Sequence, residues 1–153
     1  MKYSERAKQI FLDEIEELKK LRDTLDEHFD KVVEVIYNCK GKLVVMGIGK
    51  TGIIGHKIAA SMASTGQQAI FVNAAEAMHG DLGMVSREDV VLLVSNSGST
   101  NEIVGVLAPL RTLGCKLIAL TGDEQSPLAK GCDLVLSMHI DREACPLGLA
   151  PTT

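Results

Sequence analysis

Apolar residues recur along the chain with two different periods, and the change of period divides it. Between residues 2 and 22, Ala7, Ile10, Phe11, Ile15, Leu18 and Leu21 fall at helical spacing with Lys and Glu between them, which predicts an amphipathic helix. The run "TLDE" (Thr24 to Glu27) has the S/T-x-x-E form of a capping box and predicts a second helix through Val32, Val33, Val35 and Ile36. Residues 1–40 therefore read as an N-terminal helical extension that packs either on its own domain or on a partner subunit.

From residue 42 the pattern shortens. "KLVVMG", "AIFVN", "DVVLLVS", "KLIALTG" and "DLVLS" are continuous apolar runs rich in β-branched residues, as expected of strands covered on both faces. Helix-length segments lie between them at 52–65, 100–113 and 126–131, the last opened by Ser126-Pro127, a good N-cap and first-turn pair. Regular alternation of strand and helix predicts an α/β fold with right-handed crossovers. The expectation for residues 41–153 is a three-layer, doubly wound, five-stranded parallel sheet of the flavodoxin-like kind. Ligands of such folds sit beyond the carboxyl ends of the strands, which directs attention to the loops 47–52, 95–100 and 121–126.

Composition narrows the function. The chain has 153 residues, 46% apolar and 24% charged, so a single globular domain is the default. A chain of this size buries roughly 70% of its unfolded surface. A net charge of −4 and only 3% aromatic residues speak against a nucleic-acid partner or a base-stacking surface. No apolar run approaches the length of a membrane span, and the N-terminus is charged from Lys2 onward, so a cytoplasmic location without membrane partners is expected. Cys39, Cys115, Cys132 and Cys145 form no C-x-x-C pair and do not cluster with histidines. No metal site is expected, and most of these cysteines read as buried small hydrophobes in a reducing compartment.

The loop "GIGKTG" (Gly47 to Gly52) is ambiguous alone. Gly47, Gly49 and Gly52 satisfy the dinucleotide fingerprint, but the strand "AIFVN" ends on Asn73 without the acid that would hold a ribose. A triphosphate P-loop needs a glycine where Val44 stands. The glycines could also serve only tight packing, with Thr51 as a cap. The second loop, "VSNSGSTNEI" (Val94 to Ile103), gathers Ser95, Ser97, Ser99 and Thr100 around Gly98 at a predicted helix N-terminus, where unpaired amides and a partial positive charge suit a phosphate. Ser99 and Glu102 also form a capping box, which explains those two residues but not Ser95, Ser97 and Gly98.

These residues carry a resemblance. "SNSGST" resembles the S-x-S-G-x-T phosphate signature of the sugar isomerase (SIS) family. Five segments, "GIGKTG" (47–52), "STG" (64–66), "EAMHGDLGM" (76–84), "SNSG" (95–98) and "EACPLGLAPTT" (143–153), resemble its D-arabinose-5-phosphate isomerase branch in order and spacing. The resemblance implies the SIS fold and a site in which Gly49, Lys50, Thr51, Ser95, Asn96, Ser97 and Thr100 bind the sugar phosphate. Thr51 stands where Ser is more usual in that branch, with the hydroxyl retained.

The implied reaction interconverts D-ribulose 5-phosphate and D-arabinose 5-phosphate through an enediol(ate), by acid–base catalysis without cofactor or metal. Candidate acid–base groups are Glu143 first, then Glu102 and His79, with Lys50 stabilising negative oxygen. His28, His56 and His139 have no support from the matching segments. The family continues past the last matched segment with a terminal helix, a His-containing "SHPGG"-like segment and often paired CBS modules. None of these is in the present sequence, so activity of this stretch alone is in question. The resemblance further implies the Kdo branch of lipopolysaccharide synthesis, and a homodimer or homotetramer with sites near subunit interfaces, where His79 serves a neighbouring subunit. Competing readings are an isomerase of another sugar phosphate, such as a hexulose phosphate, a sugar-phosphate sensor domain of a regulator, and a nucleotide-binding domain.

Overall fold

The computed structural model describes residues 2–152; Met1 and Thr153, the outer bounds of the expected extension and domain, lie outside the described residues. The chain forms two compact units, one from Glu27 to Met138 and one from the residues up to Asp26 together with those from His139 on.

The larger unit is built on strands β1 (Leu43–Gly47), β2 (Ala69–Asn73), β3 (Val90–Val94), β4 (Lys116–Thr121) and β5 (Leu134–Ser137). They form one sheet in the order β2-β1-β3-β4-β5, and every pairing is parallel. This is the flavodoxin-like order, with its topological switch between β1 and β3. Alternate side chains of a strand point to opposite faces, so each apolar run feeds two cores. Val44, Met46, Val91, Leu93, Leu117 and Ala119 pack on one face with Ile103, Val106, Leu110 and Leu128. Leu43, Val45, Val90, Leu92 and Ile118 pack on the other with Val32 and Ala59. The helices supplying those partners are α2 (Glu27–Tyr37) and α3 (Gly49–Ser64) on the second face, and α4 (Ala74–Ala77), α5 (Asn101–Gly105), α6 (Leu107–Leu113) and α7 (Pro127–Gly131) on the first.

Three local expectations differ from the structure. The helix expected over 100–113 breaks into α5 and α6 at Val106. Pro109 explains the break: it lacks an N–H, and its ring would collide with the carbonyl four residues back, that of Gly105. The "TLDE" capping box is not built. Helix α2 begins at Glu27, and the Thr24 hydroxyl instead donates to the Leu21 carbonyl at 2.8 Å, closing α1 (Tyr3–Asp23). Of the four cysteines, all free thiols, only Cys115 is fully buried.

The smaller unit contains α1 and the chain from His139 onward. The apolar stripe read from the sequence is largely uncovered: Phe11 is 67% exposed and Leu18 54%, whereas Glu17 is buried. Glu17 accepts the Asp141 N–H at 2.8 Å and pairs with Lys20 at 2.8 Å. Lys20 also reaches Asp141 at 2.6 Å, and Arg142 reaches Asp13 at 2.9 Å. Among the described residues, no helix is long and apolar enough to cross a membrane.

Candidate functional site

Strands β1 and β3 are hydrogen-bonded neighbours in parallel register, with Met46 opposite Leu93. The loops that follow them, 47–52 and 95–100, therefore leave the sheet side by side at its carboxyl edge, at the switch point where such folds bind ligands. In the first loop Gly49 has φ +58°, a left-handed conformation suited to glycine, and no atom lies within 4 Å of where a Cβ would stand. Lys50 is exposed on the first turn of α3. Thr51 is half-buried, and its hydroxyl donates to the Ile48 carbonyl at 2.8 Å.

The second loop is tied into a knot. The Gly98 N–H donates to the buried Ser95 hydroxyl at 3.2 Å, and that hydroxyl meets the Thr100 hydroxyl at 3.0 Å. The Ser95 and Thr100 hydroxyls thus share one hydrogen bond, in which either oxygen can be the donor. Asn96 and Ser97 are exposed at the mouth, and the Ser99 N–H reaches Ser97 Oγ at 3.3 Å. The Ser99–Glu102 capping box does not form: Thr100, not Ser99, holds the N-cap position of α5. Since α5 has only five residues, the loop's own amides and hydroxyls, rather than a long helix dipole, supply the polar groups. Glu102 stands exposed in the first turn of α5.

The loop is backed by residues that the motif reading did not select. Thr121, the last residue of β4, and Ser126, in the loop that follows it, are both buried and stand behind Gly98. A Cβ on Gly98 would overlap Ser126 and lie 2.9 Å from Thr121 Oγ1, and φ there is +60°. The Asn96 carbonyl accepts the Gly122 N–H at 2.9 Å and the Thr121 hydroxyl at 3.2 Å, and the Gly98 carbonyl accepts the Leu128 N–H at 3.0 Å. Ser126 does cap α7 as expected, accepting the Ala129 N–H at 3.2 Å. The available signal was the third loop's position, 121–126, at the same sheet edge.

His79 follows α4 in the "EAMHGDLGM" segment, which folds as α4 and a tight 3-10 turn over Asp81–Met84. The side chain is exposed and the His79 N–H donates to the Glu76 carbonyl at 2.8 Å. Glu143 belongs to the other compact unit. Half-buried, its Oε2 accepts the Thr152 N–H at 2.7 Å and the Thr152 hydroxyl at 2.6 Å.

One cavity adjoins the first loop, and another lies at the opposite edge of the sheet; neither contains the hydroxyl loop. One of about 460 Å³, in the size range of small-molecule sites, is lined by Gly49, Gly52, Ile53, His56, Phe71 and Asn73, with the His56 ring stacked on Phe71 at 5.6 Å. The other, about 580 Å³, opens at the amino edge of the sheet near Asp89 and Arg111, the wrong edge for ligands of this fold. Burial alone would push Asp89 up, but hydrogen bonds from the Lys42 side chain and backbone and from Ser86 outweigh it and hold the carboxyl below its usual range. Among the described residues, no three His, Cys, Asp or Glu side chains gather as a metal site would require.

The SIS domain model matches residues 36–153. Arabinose 5-phosphate isomerase KdsD of Salmonella typhi is 45% identical over 99% of this chain and 46% of its own length. The enzyme of the same name from Pseudomonas aeruginosa is 50% identical over 84% of this chain and 40% of its own length. The chain thus spans less than half the length of these curated relatives. Among solved structures, E. coli CFT073 c3406 in complex with arabinose 5-phosphate superposes with a TM-score of 0.94 at 41% identity, covering 99% of this chain and 82% of that one. A five-stranded parallel sheet in this order, a hydroxyl loop at its switch point and a family match over residues 36–153 lead to one statement: the chain belongs to the SIS domain family.

Proposed function

We propose that this chain is the sugar-phosphate-binding and catalytic part of an aldose–ketose isomerase that interconverts D-ribulose 5-phosphate and D-arabinose 5-phosphate. One observation carries the reading: the hydrogen-bonded knot of Ser95, Gly98 and Thr100 at the switch point, in a sequence 45% identical to enzymes named arabinose 5-phosphate isomerase. The arabinose 5-phosphate held by the E. coli CFT073 neighbour is a ligand of the same chemistry.

In this reading the loops after β1 and β3 hold the phosphate through Thr51, Ser97 and Thr100 and the amides near Gly49, with Asn96 lining the mouth. Ser95 keeps the second loop in shape. Glu143 takes the proton from C2 of the aldose and returns it to C1, while the carbonyl O1 gains a proton and the O2 hydroxyl loses one, through an enediol(ate). The Lys50 ammonium stabilises charge that develops on oxygen. Glu102 and His79 are the second-rank proton carriers, His79 at a neighbouring subunit's site. The reaction moves protons only and needs neither a redox cofactor nor a metal. A homodimer or homotetramer fits the exposed stripe of α1, where Phe11 and Leu18 lack a cover. The reading places the enzyme in the cytoplasm, supplying arabinose 5-phosphate for the Kdo sugar of lipopolysaccharide.

The test is an isomerase assay of the full-length protein with D-ribulose 5-phosphate, D-arabinose 5-phosphate and a hexulose 6-phosphate. Turnover of the pentose phosphates in both directions is expected. Turnover of the hexulose phosphate alone replaces the substrate. Tight binding with no turnover of any of the three replaces the enzyme by a sensor.

A further inference from the structure

We infer that Thr152 is a positioning residue for the Glu143 carboxylate. The inference rests on the assignment of Glu143 as the acid–base group.

Two donors from one residue converge on one carboxylate oxygen. Glu143 Oε2 accepts the Thr152 N–H at 2.7 Å and its hydroxyl at 2.6 Å. The direction of the hydroxyl is fixed, because the ionised carboxylate can only accept, and Thr152 Oγ1 itself accepts the Ala144 N–H at 2.8 Å. The Thr152 hydroxyl proton is therefore aimed at Glu143, while its oxygen is held by the Ala144 amide. The result is a closed ring: carboxylate, Thr152 hydroxyl, Ala144 amide, and the backbone between residues 143 and 144.

The chain is also held just before Glu143. The buried Glu17 accepts the Asp141 N–H at 2.8 Å, Lys20 bridges Glu17 and Asp141, and Arg142 pairs with Asp13 at 2.9 Å. The backbone leading into Glu143 is thus anchored on α1, and its side chain is anchored by Thr152. Threonine is suited to the second task. Its β-branch restricts χ1, so the hydroxyl has few other places to go. A general base must lie within hydrogen-bond reach of the proton it moves, and an error of about 1 Å in its placement costs on the order of 10²-fold in rate. In the proposed assignment the hydroxyl loop binds the phosphate and Thr152 contacts Glu143, so its removal is expected to act on turnover rather than on affinity.

Steady-state kinetics of Thr152→Val, Thr152→Ala and Thr152→Ser in the full-length protein test this, with thermal melts alongside. Loss of the hydroxyl in T152V lowers kcat by about 10- to 100-fold with KM within about threefold, and T152S, which restores the donor, recovers most of it. Added to Glu143→Gln, T152V lowers kcat no further, because the group it positions is already disabled. If T152V does not fold, T152A against T152S decides in the same way. The role is overturned if T152V keeps the wild-type kcat, if only KM changes, if Ser fails to rescue, or if every hydroxyl-free variant unfolds. A wild type that turns over no sugar phosphate sinks the proposed function and this role together, whereas an active wild type with an unimpaired T152V sinks this role alone.

Discussion

The loop after β3 and the loop carrying Glu143 both contain a glycine with positive φ, yet they are held in different ways. The first is wedged: Gly98 stands against buried Ser126 and Thr121, and its carbonyl and that of Asn96 bond to the chain after β4. The second is tethered: Thr152 bonds Glu143, and exposed ion pairs hold residues 141 and 142. Gly148 in that loop also has a positive φ, +62°, but nothing lies within 4 Å of where its Cβ would be. A loop that must present fixed donors to an anion benefits from a rigid backing. A carboxylate that must exchange protons needs only its orientation set.

The sharpest break of this comparison is chemical. Glu143→Gln keeps the shape of the tether and removes the base, so kcat is expected to fall by about 10²- to 10⁴-fold with KM little changed. Steady-state kinetics check it, and retained turnover would remove Glu143 from the mechanism.

The next largest effect contrasts buried with exposed charge. Asp89 is 1% exposed and pairs with Lys42 at 2.7 Å. Asp89→Asn is expected to cost about 3 kcal/mol at pH 7 by leaving the Lys42 charge without its partner. The folded Asp89 carboxyl titrates below its unfolded value of 3.8. Its stabilisation is therefore complete above that value and is lost as pH falls through the lowered folded one. Chemical denaturation of wild type and D89N should show a gap that is full at neutral pH and closes in strong acid. Asp141→Asn, which removes an exposed partner of Lys20, should leave the unfolding curve in place; a gap as large as that of D89N would erase the distinction.

The glycines then sharpen wedge against tether. Gly98→Ala meets both a left-handed φ and the Ser126 side chain, for a cost of about 2–3 kcal/mol. Gly148→Ala meets only the φ, for about 1 kcal/mol. Equal costs in urea titrations would mean that the backing of Gly98 yields freely.

The smallest effect is a ranking of thiols. Backbone hydrogen bonds from Ala150, Leu149 and Leu147 hold Cys145 below the usual thiol range. Burial raises Cys115 and pushes Cys132 up to about 12. Alkylation at neutral pH followed by peptide mass mapping should find Cys145 modified first. Prior labelling of Cys132 would contradict the environment described for both.

The strands were legible because each is covered on both faces, so their apolar runs are uninterrupted and the alternation with helices sets the topology. Ser95, Ser97 and Thr100 were legible for another reason: they are close in sequence, so a motif can contain them. Thr121 and Ser126 escaped because their role arises only when β4 pairs with β3 and brings the end of β4 and the loop after it behind Gly98. Thr152 lies within the matched segment 143–153, but its role escaped because the contact with Glu143 arises only when that segment folds back on itself. Glu17 was read only as one of the polar residues between the apolar ones of α1; its buried carboxylate is accommodated by the Asp141 N–H and Lys20. Pro109 was visible but taken as internal to one helix, although its missing N–H marks the break.

The wedge behind Gly98 partitions the loop for anyone who would re-engineer its ligand. Asn96, Ser97 and Ser99 face outward and are exposed, so a library at these three positions explores new anions on an unchanged scaffold. Gly98, Thr121 and Ser126 form one interlocked block. Position 98 therefore has to stay glycine, because a side chain there meets both the left-handed φ and the Ser126 Cβ, and redesign is confined to the exposed positions.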